Sequence, residues 1–415
     1  MIKSYINKAL IVSIFVLTLV FMFCSCQARS ERPINVKPIA AENAQEQDTP
    51  KMTFFIENSG SMKGYVVGST QYIDVLTNIA NHPDFISSNF GRVFYFSSGT
   101  TTPEKVTNLQ TSLVPANFNQ RKSNLNQLFK TSLDSTKGNN ITILISDGIY
   151  DMCPDPTPLS ALQILGHELR TIFVSKLNSS DCQTILVKLK SNFNGTFYPG
   201  DCCGAYNINQ QRPYYIWILG ETEILKKYFS DEYLERLNGY ENSARYFKYN
   251  SSQITFKPIS HKKIGTFFPS KIDKNTLESV EPNSANVFQF SIAVDFSKLP
   301  LNDNYLTDIN NYNCSNGFSV VSIDPPTAVA KLGLPDQTHL IVVKKTGTPI
   351  GLLTVSLLNK GFNWISTTNI NSDCMINGNT NQTFGFEVLN KGIIEAYEYF
   401  NRGDEIVKFN INLKN

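Results

Sequence analysis

The chain has 415 residues, 41% of them hydrophobic, with 37 basic and 35 acidic side chains. Lys3 and Lys8 are the only charged residues among the first 25, so the remainder carries 35 of each sign. A neutral body with no basic stripe excludes a nucleic-acid binder built on phosphate neutralisation.

The first element is a targeting segment. Lys3 and Lys8 form a positive region, Ala9 to Phe23 is apolar, and Phe23-Cys24-Ser25-Cys26 follows at once, the order of a signal peptide over residues 1–25. The apolar stretch falls short of the roughly 20 residues that cross a bilayer. Its ending resembles a bacterial lipobox, with small Ser25 before Cys26. That resemblance implies that Cys26 is the lipid-modified first residue of a lipoprotein anchored to a membrane of the bacterial cell envelope, facing the periplasm or the surface. An ordinary secretory signal is the alternative. Residues 26–50 are rich in Pro, Glu and Gln and poor in apolar side chains, and predict a disordered tether reaching roughly 25–30 Å. About 365 residues remain, more than one core usually holds, so two domains are expected, 51–230 and 231–415.

In the first of these, short apolar runs alternate with helical patterns. Strands are expected at Met52–Ile56, Arg92–Phe96, Ile141–Ile145, Thr171–Val174 and Tyr214–Leu219. Tyr72, Ile73, Leu76, Ile79 and Ala80 share one helical face after Ser69, as do Leu125, Leu128, Phe129 and Leu133. The pattern is that of an open α/β sheet covered by helices on both faces. Residues 176–213 exceed a usual crossover and hold Cys182, Cys202 and Cys203, which reads as a stapled insertion.

The chemistry concentrates at two strand ends. Met52–Ile56 runs into Glu57-Asn58-Ser59-Gly60-Ser61, and Ile141–Ile145 runs into Ser146-Asp147-Gly148. In open α/β sheets ligands sit outside the carboxyl ends of strands, and a carboxylate with alternating hydroxyls suits a hard divalent cation. These residues resemble the von Willebrand factor A domain, whose metal-ion-dependent adhesion site has an Asp-x-Ser-x-Ser loop and a second strand ending in Thr-Asp-Gly or Ser-Asp-Gly. The resemblance implies a Rossmann-like fold with a central, mostly parallel sheet. It also implies a divalent cation, Mg²⁺ first with Mn²⁺ or Ca²⁺ as alternatives, held by Glu57, Ser59, Ser61, Ser123 and Asp147. Ser123 stands for the family's helix-opening threonine, with Ser112 and Thr131 as weaker candidates, and Asp147 would act through water. Glu57 replaces the family's Asp and is longer by about 1.5 Å. Asp151, four residues after Asp147, reads first as a solvated loop residue and second as an auxiliary oxygen ligand. A protein partner's acidic group would complete the shell.

Binding is the expected output, and the chain is not expected to be an enzyme. The four histidines, His82, His167, His261 and His339, are scattered, and there is no Gly-x-Ser-x-Gly and no phosphate-cradling Gly-rich loop. The alternatives are a metal-free A-type scaffold in an envelope assembly and a hydrolase using the cation to activate water.

Six cysteines follow the lipobox, an even number that permits disulfides in an exported chain. Cys314 and Cys374 stand alone in the later half and are expected to bond to each other. Cys202 and Cys203 are expected to reach back to Cys153 or Cys182, in either assignment. Beyond about Ser252 the chain alternates like strands, at 254–256, Val287–Val294, Phe318–Ile323, Leu340–Val343 and Leu352–Leu357. This predicts an antiparallel β-sandwich, with a helix at Phe386–Tyr399 and a closing strand at Asp404–Leu413.

Overall fold

The computed structural model describes residues 50–152, 158–201, 204–374 and 380–415. The leader, Cys26, the tether before Pro50, and Cys153, Cys202 and Cys203 lie outside the described residues. A seven-stranded sheet forms first, from β1 (Lys51–Ile56), β2 (Gly91–Phe96), β3 (Glu104–Val106), β4 (Ile141–Ser146), β5 (Cys182–Phe197), β6 (Tyr206–Glu221) and β7 (Tyr240–Tyr246), in the order β3-β2-β1-β4-β6-β5-β7. β1 runs parallel to β2 and to β4, with Ile56 opposite Phe96 and Ile145. All other pairings in the sheet are antiparallel. The sheet is therefore mixed, where the A-domain resemblance led us to expect it mostly parallel.

Residues 176–213 cause this. In place of a crossover, β5 and β6 make one long hairpin, in register from Cys182 opposite Glu221 to Phe197 opposite Tyr206. β6 takes the place beside β4 and pairs Ser146 with Tyr215 as the last step of that ladder. The outer half of the hairpin therefore projects past the edge where β1 and β4 end.

Side-chain alternation assigns the two faces of the sheet. Met52, Phe54 and Ile56 share a core with Ile141, Ile143 and Ile145, covered by Tyr72, Val75, Leu76 and Ile79 of α1 (Gln71–Ala80). Thr70, one residue past Ser69, caps this helix by accepting the Ile73 N–H at 3.3 Å. Phe55, Leu144, Leu186 and Trp217 face the other way, onto α2 (Leu125–Ser135) and α3 (Pro158–Ser179). The strand expected at Thr171–Val174 lies inside α3. Leu162, Gly166, Leu169, Phe173 and Leu177 are its buried residues, a helical spacing over 22 residues that overrides four residues of strand-like composition.

α4 (Phe386–Asn401) also packs on this second face, through Phe386, Leu389, Ile393 and Ala396. The α/β body thus draws on residues from both sides of position 230. α3 and α4 meet at two glycines: a Cβ on Gly392 would lie 2.4 Å from the Gly166 carbonyl oxygen.

The β-rich portion is a sandwich of two sheets. β8 (Phe256–Ile264), β9 (Thr266–Pro269), β10 (Thr276–Glu281), β11 (Val287–Val294), β12 (Tyr312–Cys314), β13 (Ser319–Asp324), β14 (His339–Thr346) and β15 (Gly351–Leu358) come first in sequence. The two-residue pair β16 (Asn369–Ile370) and β17 (Thr383–Phe384) precedes β18 (Glu405–Leu413). One sheet has the order β12-β15-β18-β10-β9 and the other β13-β14-β11-β8. Phe288, Phe290, Ile341 and Val343 of the second sheet meet Leu353, Val355, Phe409 and Ile411 of the first in one core, as period-two strands with one buried face require. Within these two sheets the pairing is antiparallel except between β10 and β18, and the separate β16–β17 pair is parallel.

The expected Cys314–Cys374 bond is not made. Cys314 is a free thiol on β12, whereas Cys374 lies in a different disulfide, beside the Gly200–Asp201 turn that Asp373 binds. Cys182 is likewise free and buried at the start of β5, so it takes no part in the bridges expected for Cys202 and Cys203.

Candidate functional site

Parallel pairing brings the ends of β1, β2 and β4 to one edge. The backbone fixes their loops to one another: the Glu57 N–H donates to the Ile145 carbonyl at 2.9 Å and the Ser97 N–H to the Ile56 carbonyl at 3.0 Å. The loop before α2 joins them, since the Gly60 N–H donates to the Gln120 carbonyl at 2.9 Å and the Gln120 N–H to the Asn58 carbonyl at 3.1 Å. The Asn124 N–H then donates to the Ser98 carbonyl at 2.7 Å. Ser123 is delivered to the same edge by this lacing.

All five residues expected at the site converge there. Ser59 Oγ donates to Glu57 Oε1 at 2.6 Å and lies 2.9 Å from Ser61 Oγ. Ser146 Oγ donates to Glu57 Oε2 and accepts the Gly148 N–H at 2.9 Å. The Ser123 hydroxyl also bonds Glu57, and the Ser61 hydroxyl bonds Asp147. Asp147 Oδ1 accepts the Ile149 N–H at 3.2 Å. Neither Ser112, at the end of a short helix over Leu109–Ser112, nor Thr131, within α2, belongs to this set.

The two carboxylates are buried, Glu57 at 0% exposure and Asp147 at 2%. Burial, followed by the Asp147 charge, pushes the Glu57 carboxyl up to about 8, against the pull of the Ser146, Ser59 and Ser123 hydroxyls. Burial raises Asp147 as well, opposed by Ser61, the Ile149 N–H and the Arg212 guanidinium. Two buried acids side by side hold a proton strongly, because burial and mutual repulsion both disfavour the doubly charged state.

Above the site lies a cleft of about 570 Å³, with Ser59, Ser61 and Ser123 on its floor side and Lys63, Arg121 and Lys122 around it. Asp151 lies on this rim, exposed and 3.8 Å from Lys122. The hairpin walls the cleft: a Cβ on Gly60 would touch Tyr198 at 3.4 Å, and one on Gly64 would clash with Phe193 at 2.5 Å.

Ser146 and Arg212 escaped the sequence reading. Ser146 sits beside Asp147 in the Ser-Asp-Gly turn, and its strand-end position was the available signal. Arg212 is 1% exposed on β6, with its guanidinium 4.1 Å from the centre of the Phe197 ring, and Nη1 has no hydrogen-bond partner. A basic residue just before the apolar run Tyr214–Leu219 reads as a solvated strand end. The hairpin brings its charge to bear on Asp147.

Among the described residues no cluster of three or more His, Cys, Asp or Glu side chains could hold a metal ion. What the site offers is two carboxylates, the alternating hydroxyls of Ser59 and Ser61 and the hydroxyl of Ser123, an all-oxygen set that fits a hard cation keeping water in its shell. No family model, curated protein or solved structure matches the chain.

Proposed function

We propose that Glu57, Ser59, Ser61, Ser123 and Asp147 hold a divalent cation, Mg²⁺ or the similar Mn²⁺, and that through it the protein binds an acidic group of a protein partner. The observation that supports this reading best is the convergence of five oxygen-bearing side chains from three separate loops on one buried spot. The cleft above is rimmed by Lys63, Arg121 and Lys122, which favours an anionic visitor by electrostatic complementarity. The lipobox-like ending at Cys26 adds a membrane anchor, and the site would then act as an adhesion point in a cell envelope.

A metal-free A-type scaffold is the second reading, favoured by one observation. Both Glu57 oxygens already accept hydroxyl bonds, from Ser59 and Ser146, so the carboxyl is satisfied without an ion. Equilibrium dialysis against Mn²⁺ separates the two: the first reading expects about one ion per chain, lost in Asp147→Ala, and the second expects none. A pull-down with and without chelator then tests whether capture of the partner follows the ion.

A further inference from the structure

A second cavity, of about 550 Å³, lies where the end of β7, α4 and the sandwich come together. It shares no residue with the metal-site cleft. Aromatic rings form its walls. Tyr246 stands edge-on to Phe362 at 5.6 Å and 88°, and lies near-parallel to Tyr397 at 6.0 Å and 29°. Phe247, Tyr249 and Tyr305 extend the aromatic lining.

The polar groups of the cavity include some already paired and one buried without a partner. Arg245 Nε donates to Asp231 Oδ1 at 2.8 Å, and Asn401 is spent on the Tyr249 N–H and the Phe247 carbonyl. The Tyr246 hydroxyl is buried and without a hydrogen-bond partner. A buried polar group in that condition is one that a ligand would satisfy. At the mouth, Glu398 and Asp404 offer exposed carboxylates and Lys360 an ammonium group.

We infer that this cavity binds a neutral saccharide ring. A sugar presents a flat C–H face that packs on aromatic rings and a periphery of hydroxyls that both donate and accept. The lining supplies both partners, within the volume range of small-ligand sites and at a junction between layers where such sites concentrate. A wholly apolar ligand would leave the Tyr246 hydroxyl orphaned, and an anion would meet two mouth carboxylates, Glu398 and Asp404, against the single ammonium of Lys360.

The test uses the full chain and its own reporter. Trp364 Nε1 donates to the Ser243 carbonyl at 3.3 Å, and Ser243 lines the cavity, as does Phe362 two residues before Trp364. Indole fluorescence is titrated with glucose, galactose, N-acetylglucosamine, cellobiose and diacetylchitobiose, with tetramethylammonium and cyclohexanol as cationic and apolar probes. At least one saccharide should give a saturable change. Tyr246→Phe should weaken it about fivefold and Phe362→Ala about tenfold, with Tyr246→Phe keeping the wild-type melting temperature. Should Phe362→Ala fail to fold, Tyr246→Phe and the exposed Glu398→Gln, expected to weaken binding several-fold, decide the matter. The inference is overturned if no saccharide saturates, if tetramethylammonium or cyclohexanol binds as tightly as the best sugar, or if Tyr246→Phe and Glu398→Gln both retain wild-type affinity.

Discussion

Gly392→Ala sets two effects of opposite sign against each other at the contact that ties the C-terminal helix to the α/β body. In an isolated helix the change would stabilise by about 1 kcal/mol, because alanine is the better helix former. Here the new Cβ would lie 2.4 Å from the Gly166 carbonyl oxygen and 3.4 Å from the Arg170 nitrogen. Both are backbone atoms of α3, which cannot swing aside as a flexible side chain can. Against a floor of 3.0 Å for such contacts, the helices must part by at least 0.6 Å. Overpacking in a well-filled core costs about 1–3 kcal/mol, and a backbone clash belongs at the upper end. Packing should therefore win, leaving a net loss of about 1–2 kcal/mol. Urea unfolding followed by far-ultraviolet circular dichroism measures it as a lower midpoint at unchanged slope. Gly204→Ala, where a Cβ meets nothing within 4 Å, serves as the control and should be neutral or slightly stabilising. A Gly392→Ala protein as stable as wild type would refute the close docking of α4 on α3.

Three further outcomes are expected. Glu57 has a folded-state value of about 8 against an ordinary 4.5, so its stabilising contribution is complete below about 4.5 and is lost as pH rises through 8. In chelator, the wild-type urea midpoint should then fall more between pH 5 and pH 9 than that of Glu57→Gln, and parallel falls would contradict the assignment. Alkylation of the denatured, unreduced protein followed by peptide mapping should label both Cys182 and Cys314, and an unlabelled Cys314 would restore the pairing with Cys374. Cys26→Ala should move the protein from the membrane fraction to the soluble one, whereas fatty-acid labelling of that variant would show the anchor to lie elsewhere.

The site was legible to the extent that Glu57 and Asp147 follow parallel strands whose last residues are buried. β1 closes on Phe54-Phe55-Ile56 and β4 reaches Ile143-Leu144-Ile145, so the first polar residues after these runs mark the carboxyl edge of the sheet. The hydroxyl before α2 could be placed because the helix announces itself by Leu125, Leu128, Phe129 and Leu133. The long hairpin was not legible. Its inner half is buried on both faces, but Lys188, Lys190, Asn192 and Asn194 interrupt the apolar pattern of β5. Lys188 lies buried only because Glu241 of β7 meets its ammonium at 3.1 Å and Thr368 accepts from it at 3.0 Å, partners far away in sequence. The same non-local logic hid Arg212 and the free state of Cys314. A count of two cysteines in one half of the chain says nothing of which turns fold back on which sheet.

The central claim is that Glu57 and Asp147 form a cation site, and a melting experiment in the presence of ions tests it most directly. A ligand that binds only the folded state at 100 times its dissociation constant stabilises by about 2.7 kcal/mol. Millimolar Mg²⁺ or Mn²⁺ should therefore raise the melting temperature of the wild type and of Asp151→Ala, and leave Glu57→Ala and Asp147→Ala unmoved. Identical responses from the wild type and from the Glu57→Ala and Asp147→Ala variants would contradict the account, and the domain would stand as a metal-free scaffold.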